Sequence, residues 1–288
     1  MRLFSALKKG ACKTAGSYKL LITMWAITLV MILLVAMPLK RGLKIIFSKS
    51  FATDRLLDGF DLGLVGDMGS AFGNLLGSAT YSGFFLLITG FLLYTFFAGG
   101  LFACYTTAYG SFKVSAFLKS SAHHFHTFLG IGIMILLLIV VWTFVIIGIP
   151  AAITGTVAND PFTVMTVSRI MAVVWALGLP LWFLVADRAR IWVATNGIRR
   201  VFRALGAGFS SLRIRFKVSY LAVLSVFIVN LALLGLVFAF TAGALPEKGI
   251  LISLFFIATQ ALFVLRIFLK AWRYATVSEL TPGSGELQ

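Results

Sequence analysis

GIRRVFRALGAGFSSLRIRFK, residues 197–217, lies between two long apolar runs at about 167–194 and 218–242. Arg199, Arg200, Arg203, Arg213, Arg215 and Lys217 make it strongly basic, and it contains no acid. Phe202, Leu205 and Phe209 recur at helical spacing, which gathers them on one face and leaves arginines on the other. A helix of this kind lies in the membrane interface and does not cross the bilayer. The flanking runs are each long enough to cross it.

Composition extends that reading to the whole chain. Of 288 residues, 60% are hydrophobic and 12% charged, against ~25% charged in soluble domains. The mean hydropathy is +1.01. The runs lack the period-2 alternation of an outer-membrane barrel. The fold class is therefore all-α, with six transmembrane helices at about 20–38, 83–108, 128–153, 167–194, 218–242 and 250–271. The net charge of +16 comes from residues that flank these runs, so anionic lipid, and not nucleic acid, is the expected partner. Cys12 and Cys104 are too few for a disulfide framework or a structural zinc site. Pro150 predicts a kink or an end near the end of the third span, and Gly178-Leu-Pro180 a kink in the fourth.

The basic stretch recurs. LFSALKKGACKTAGSYK, from Leu3, aligns with VFRALGAGFSSLRIRFK, from Val201, pairing Phe4 with Phe202, Ala6 with Ala204, Leu7 with Leu205, Gly10 with Gly208 and Lys19 with Lys217. GSFKVSAFLKSS, from Gly110, aligns with GIRRVFRALGAG, from Gly197. The offsets are 198 and 87, without gaps. We read one membrane domain over 1–276, built from three hairpin units at about 1–109, 110–196 and 197–276, each opened by an interfacial helix. The first unit carries a polar insertion at about 39–81, expected as short helices on the outer face. Residues 277–288 read as a flexible tail. Repeated hairpins suggest a pseudo-threefold bundle and not the inverted repeats of many transporters.

With six spans, both termini share a side. That side carries 18 Lys and Arg against 7 on the other, which predicts cytoplasmic termini in a bacterial inner membrane. ADRARIWVATNGIRRVFRALGAGF and GGLFACYTTAYGSFKVSAFL, together with the hairpin order, resemble a large set of poorly characterised bacterial six-span membrane proteins, including the membrane portion of some glycerophosphodiester phosphodiesterases. The resemblance implies the architecture and supplies no catalytic residues.

Few residues invite a chemical role. Asp187 is the one acid on the basic side ahead of the tail. It reads as half of an ion pair with Arg190 or Arg266, or as a proton or ion relay. Asn230 and Gln260 sit at similar depth in the last two spans and are expected to meet as an interhelical amide pair. Asp54, Asp58, Asp61 and Asp67 match no EF-hand spacing and read as a solvated loop with helix caps. His123, His124 and His126 form a His-His-x-His cluster in which His124 faces away from the other two. That makes a polar or lipid-facing surface more natural than a metal site.

No nucleophile with its base, phosphate loop or cofactor motif occurs. The expectation is a non-catalytic scaffold or subunit that needs no cofactor. It would bind anionic lipid or a protein partner through Arg199, Arg200, Arg203, Arg213, Arg215 and Lys217. The alternative is a transporter or permease component for a lipid or small solute. Such a protein needs polar groups along a path at mid-membrane, and here they are sparse.

Overall fold

The structure, a computed structural model, describes residues 3–47, 62–106, 114–157, 161–243 and 249–281. Every regular element among them is a helix: α1 (Leu3–Gly16), α2 (Tyr18–Phe47), α3 (Leu62–Thr106), α4 (Val114–Thr143), α5 (Ile149–Val157), α6 (Pro161–Asn196), α7 (Val201–Ser211), α8 (Phe216–Gly243) and α9 (Gly249–Leu280). Six stretches are long and apolar enough to cross a membrane, with mean hydropathies from 2.0 to 3.0. The protein is an all-α, multi-pass membrane protein.

The chain divides into two compact units. One is Thr23–Tyr94, which comprises most of α2 and the greater part of α3. Within it Thr28 and Thr89 return their hydroxyls to the carbonyls of Met24 and Phe85, at 2.8 and 2.7 Å. That bond hides a polar group inside an apolar helix. The other unit, Met1–Ile22 with Thr95–Gln288, holds the basic helices α1 and α7.

Inside this second unit the three related stretches occupy related places. α2 starts at Tyr18, one residue after the turn at Ser17, and α8 starts at Phe216, one residue after Arg215. Both breaks fall at the repeat offset. Arg215 takes a left-handed φ of 53°, a conformation that costs a side chain about 1 kcal/mol or more. Ala6, Phe117 and Ala204, equivalent under the two offsets, are each 0% exposed. One turn on, Gly10, Ser121 and Gly208 are buried as well.

Each of these three residues marks a close helix approach. A Cβ on Gly10 would lie 3.0 Å from the backbone nitrogen of Thr276 on α9. A Cβ on Gly208 would lie 2.9 Å from the carbonyl of Val185 on α6. Ser121 approaches the other way round: a Cβ on Gly99 of α3 would lie 3.1 Å from its carbonyl. So α7 packs on the end of α6, the start of α4 on the end of α3, and α1 on the end of α9. Each related stretch seats on the final helix of the hairpin before it. The first, with none before it, seats on the last, which closes the cycle.

α1 is tied down by Lys13, whose Nζ lies 3.1 Å from Glu279 and donates to the carbonyl of Tyr105 at 2.6 Å. The Trp272 indole donates to the Leu7 carbonyl at 2.8 Å, and Ala6, Ala222 and Leu280 pack together beneath.

Several sequence expectations need correction. The middle stretch is not a separate interfacial helix. Residues 114–143 form one unbroken α4, because nothing between Ser115 and Phe128 is a helix breaker. The insertion at 39–81 joins its neighbouring spans at both ends, since α2 continues to Phe47 and α3 begins at Leu62; its middle, 48–61, lies outside the described residues. Residues 62–81 contain no proline, and leucines and small residues let them join the following span. With 45 residues α3 is about 70 Å long, against a ~30 Å hydrocarbon core. The tail does not begin at 277. α9 runs to Leu280, with Val277 and Leu280 buried, because α1 covers them; residues 282–288 lie outside the described residues.

Pro150 does not end the third span. A π-helical turn, Phe144–Gly148, precedes α5, absorbing the hydrogen bond that proline cannot donate. α6 is one helix that contains Pro180, the position expected to kink. Beside these points Trp175 donates to Thr143 Oγ1 at 2.9 Å, locking α4 to α6.

Candidate functional site

The basic end of the second unit carries two distinct arrangements of charge, one on its surface and one inside. The surface one is α7 with its flanks. Ala204, Leu205, Gly208 and Ser211 form its buried face, which lies on α6. Phe202 is 77% exposed and Phe209 43%. Arg200, Arg203, Arg213, Arg215 and Lys217 are exposed beside them. Arg199 is exposed too, but its guanidinium contacts His123 of α4 at 2.9 and 3.1 Å from the two ring nitrogens. α1 repeats the pattern, with Phe4 83% exposed next to exposed Lys8 and Lys9. Here the apolar residues divide into two sets: Ala204, Leu205 and Gly208 seat α7, and the phenylalanines point away from the protein.

The internal arrangement centres on Asp187 of α6, which is fully buried. Its carboxylate receives Arg273 of α9, with Nε 2.8 Å from Oδ2, and Arg190, one turn on, at 3.5 Å. Arg266 is not its partner, contrary to one of the two expected pairings. Arg266 is exposed, and α9 extends far enough past Ala271 to bring Arg273 round, two turns further on. Aromatic rings wall the guanidinium groups. Arg273 lies 4.8 and 5.0 Å from the ring centres of Phe183 and Tyr274, and Arg190 lies 6.0 Å from that of Phe128. Phe102 of α3 closes on Tyr274 at 4.6 Å and on Phe128 at 6.0 Å. Four helices thus contribute to one charged, aromatic-lined centre.

Arg188, next in sequence, turns the opposite way. It is 2% exposed. It donates to the carbonyl of Ser211, to that of Ile214 at 3.1 Å and to Ser219 Oγ at 2.7 Å. These acceptors belong to the end of α7, the turn after it and the start of α8. One guanidinium from α6 therefore ties down the corner after α7, joining the Ile214 N–H on the Ser211 carbonyl and adding a donor to that of Ile214.

Asn230 and Gln260 are both half-buried, Asn230 on the inward face of α8 but beyond Val226, where burial fades and Ile228, Val229 and Leu231 are exposed. His124 is buried and stacks on Phe128, while His123 and His126 are exposed. Among the described residues no three metal-ligating side chains converge. Asp54, Asp58 and Asp61 lie outside the described residues, and Asp67 is on α3 with its side chain not described. Cys12 is an exposed free thiol and Cys104 a half-buried one.

Arg188, Arg273 and the Lys13–Glu279 pair were not singled out from the sequence. One signal for Arg273 was available: Arg266, Lys270 and Arg273 stand at i, i+4 and i+7, a basic stripe on one face of an otherwise apolar helix. No protein-family model, curated protein or solved structure matches the chain. Its reading therefore rests on this geometry.

Proposed function

We propose that the protein is a non-catalytic scaffold or subunit of a bacterial inner membrane, with both termini in the cytoplasm, that gathers anionic lipid or a protein partner at its basic surface. The observation that carries this reading is α7. It is fixed to the bundle through Ala204 and Gly208, and it offers Phe202, Phe209 and a dense set of arginines outward. Each cation near an anionic surface contributes about 1 kcal/mol. Each exposed phenylalanine adds about 2 kcal/mol if it sinks fully into the acyl boundary. A helix already held by protein pays little further ordering entropy on docking. The Lys and Arg asymmetry of 18 against 7 supports the orientation.

The Arg199→Gln/Arg200→Gln/Arg203→Gln variant, reconstituted in nanodiscs of mixed phosphatidylglycerol and phosphatidylcholine, is expected to lose most of the phosphatidylglycerol enriched around the wild type. Added salt should weaken wild-type enrichment in the same direction. Equal enrichment in variant and wild type would sink the lipid arm and leave a protein partner. That partner would be sought by mass spectrometry of whatever co-purifies in mild detergent. Orientation has its own check. In a Cys104→Ser background, Cys12 should resist a membrane-impermeant thiol reagent in intact cells and react once the inner membrane is opened. Labelling in cells with an intact inner membrane would reverse the topology.

A further inference from the structure

α1 carries a second outward face built like that of α7. Both helices lie outside the apolar spans and abut their ends. α1 stops at Gly16, just before the span that opens at Tyr18, and α7 lies between spans that end at Asn196 and open at Phe216. At the offset of 198 their exposed positions coincide. Phe4 and Phe202 correspond, and they are 83% and 77% exposed. Tyr18 and Phe216 correspond as well, and both are exposed, each followed by an exposed lysine, Lys19 or Lys217.

The face is sided. Successive residues on a helix turn by about 100°, so Phe4 and Phe202 stand at the edge of the exposed arc, beside Leu7 and Leu205 on the seated side. Lys9 lies about 140° round from Phe4, and Arg203 about 100° round from Phe202. Each helix thus has a seated side, an apolar edge and a basic side. That is the profile of a helix lying in a membrane interface.

Two helices at different places on one unit present the same edge. A surface that extends past both of them, a lipid leaflet, meets both at once. Neither α1 nor α7 contains an acid, so the complementary leaflet is anionic. The third related stretch lacks the edge: at the offset of 87, Ser115 and Ala122 stand where Phe202 and Phe209 do, and that stretch runs straight on into its span as α4. The two helices that keep the phenylalanine also share a frame. α1 seats on α9 and α7 on α6, and Asp187 with Arg273 joins α6 to α9.

We propose that α1 and α7 are a pair of bilayer anchors, with Phe4 and Phe202 inserted into the acyl boundary of one anionic leaflet and Lys8, Lys9, Arg203 and Lys217 at its headgroups. This rests on the reading of α7 as a lipid surface. It adds α1 as a second binding site and makes the bilayer itself, and not a protein, the ligand of both. Full burial favours insertion of one phenylalanine by about thirtyfold.

The test uses the full chain in a Cys12→Ser/Cys104→Ser background, reconstituted in nanodiscs of mixed phosphatidylglycerol and phosphatidylcholine. A nitroxide is attached at Phe4→Cys, at Phe202→Cys or, on the basic side of α1, at Ser5→Cys. All three native side chains are exposed, so the seated faces stay intact. Power-saturation electron paramagnetic resonance compares collisions with oxygen, which concentrates among acyl chains, and with a water-soluble nickel chelate. Labels at 4 and 202 should gain oxygen collisions and lose most nickel collisions relative to the label at 5. A water-like ratio at either position, equal to that at 5, would overturn the proposal. So would labels that become shielded only when cytosolic protein is added, which would assign the face to a protein. Phosphatidylglycerol enrichment is counted on the same discs. Enrichment with water-like labels would sink the anchors and leave the lipid surface of α7. Inserted labels without enrichment would keep the anchors and sink the gathering of anionic lipid.

Discussion

Asp187→Ala is expected to destabilise the protein by about 3–5 kcal/mol, the range for removing one partner of a buried charge pair. The carboxylate is wholly buried and holds Arg273 at 2.8 Å. Without it, Arg273 and Arg190 face each other across a space with little water to screen them. The measurement is the midpoint of unfolding in detergent, followed by the monodispersity of the purified protein. Part of the effect comes from cations left behind and not from attraction lost. Arg273→Met should therefore also be strongly destabilising, since it strands the carboxylate, and Asp187→Leu/Arg273→Met should be less damaging than the sum of the two single changes. The sum itself, observed in the double variant, would show that the two side chains act independently and that the pair does not organise α6 against α9.

The sequence made the six spans and their order plain, because bilayer length and hydropathy leave few alternatives. It also showed which helices share a design. The offsets of 198 and 87 place Ala6, Phe117 and Ala204 at one structural position and put the turns at Ser17 and Arg215 in register. The sequence did not disclose where an element stops. The same amphipathic pattern is a separate helix at 3–16 and 201–211 but the start of a long span at 114–143, and only a turn of one to four residues separates the cases.

The pairing of Asp187 was half legible. Arg190 follows from helical spacing within one element. Arg273 requires knowing that α9 continues past its apolar run, and that continuation is decided by α1 packing on Thr276 and Leu280. Contacts between distant segments set that length, and no local propensity carries them. The same limit applies to Asn230 and Gln260. Equal depth in two antiparallel helices does not fix the rotation and separation that bring two side chains together.

Arg188→Met is expected to be as damaging as the loss of Asp187, and by a different route. Arg188 is 2% exposed and serves three acceptors, none of them a carboxylate. Methionine nearly fills the volume but donates nothing. It leaves the carbonyls of Ser211 and Ile214 and the hydroxyl of Ser219 buried without this partner, at about 1–3 kcal/mol for each group that finds no replacement. Arg188→Lys separates charge from geometry. Lysine keeps the positive charge, but a compact ammonium cannot span three acceptors spread over the end of α7, the turn and α8 as a planar guanidinium does. It should recover only part of the stability. The local signature is hydrogen–deuterium exchange. In Arg188→Met, protection should fall first from Gly208 to Ser219, before α1 or the end of α9 loosens, because Arg188 ties the α7–α8 corner to α6. Uniform loss of protection would mean that Arg188 supports the whole bundle and not this corner. An unchanged midpoint would mean that water satisfies the corner without it. Since α7 carries the outward arginines and phenylalanines, the corner's rigidity matters for docking as well as folding: a variant that stays folded but lets α7 swing should lose anionic-lipid enrichment with every basic residue of α7 still in place.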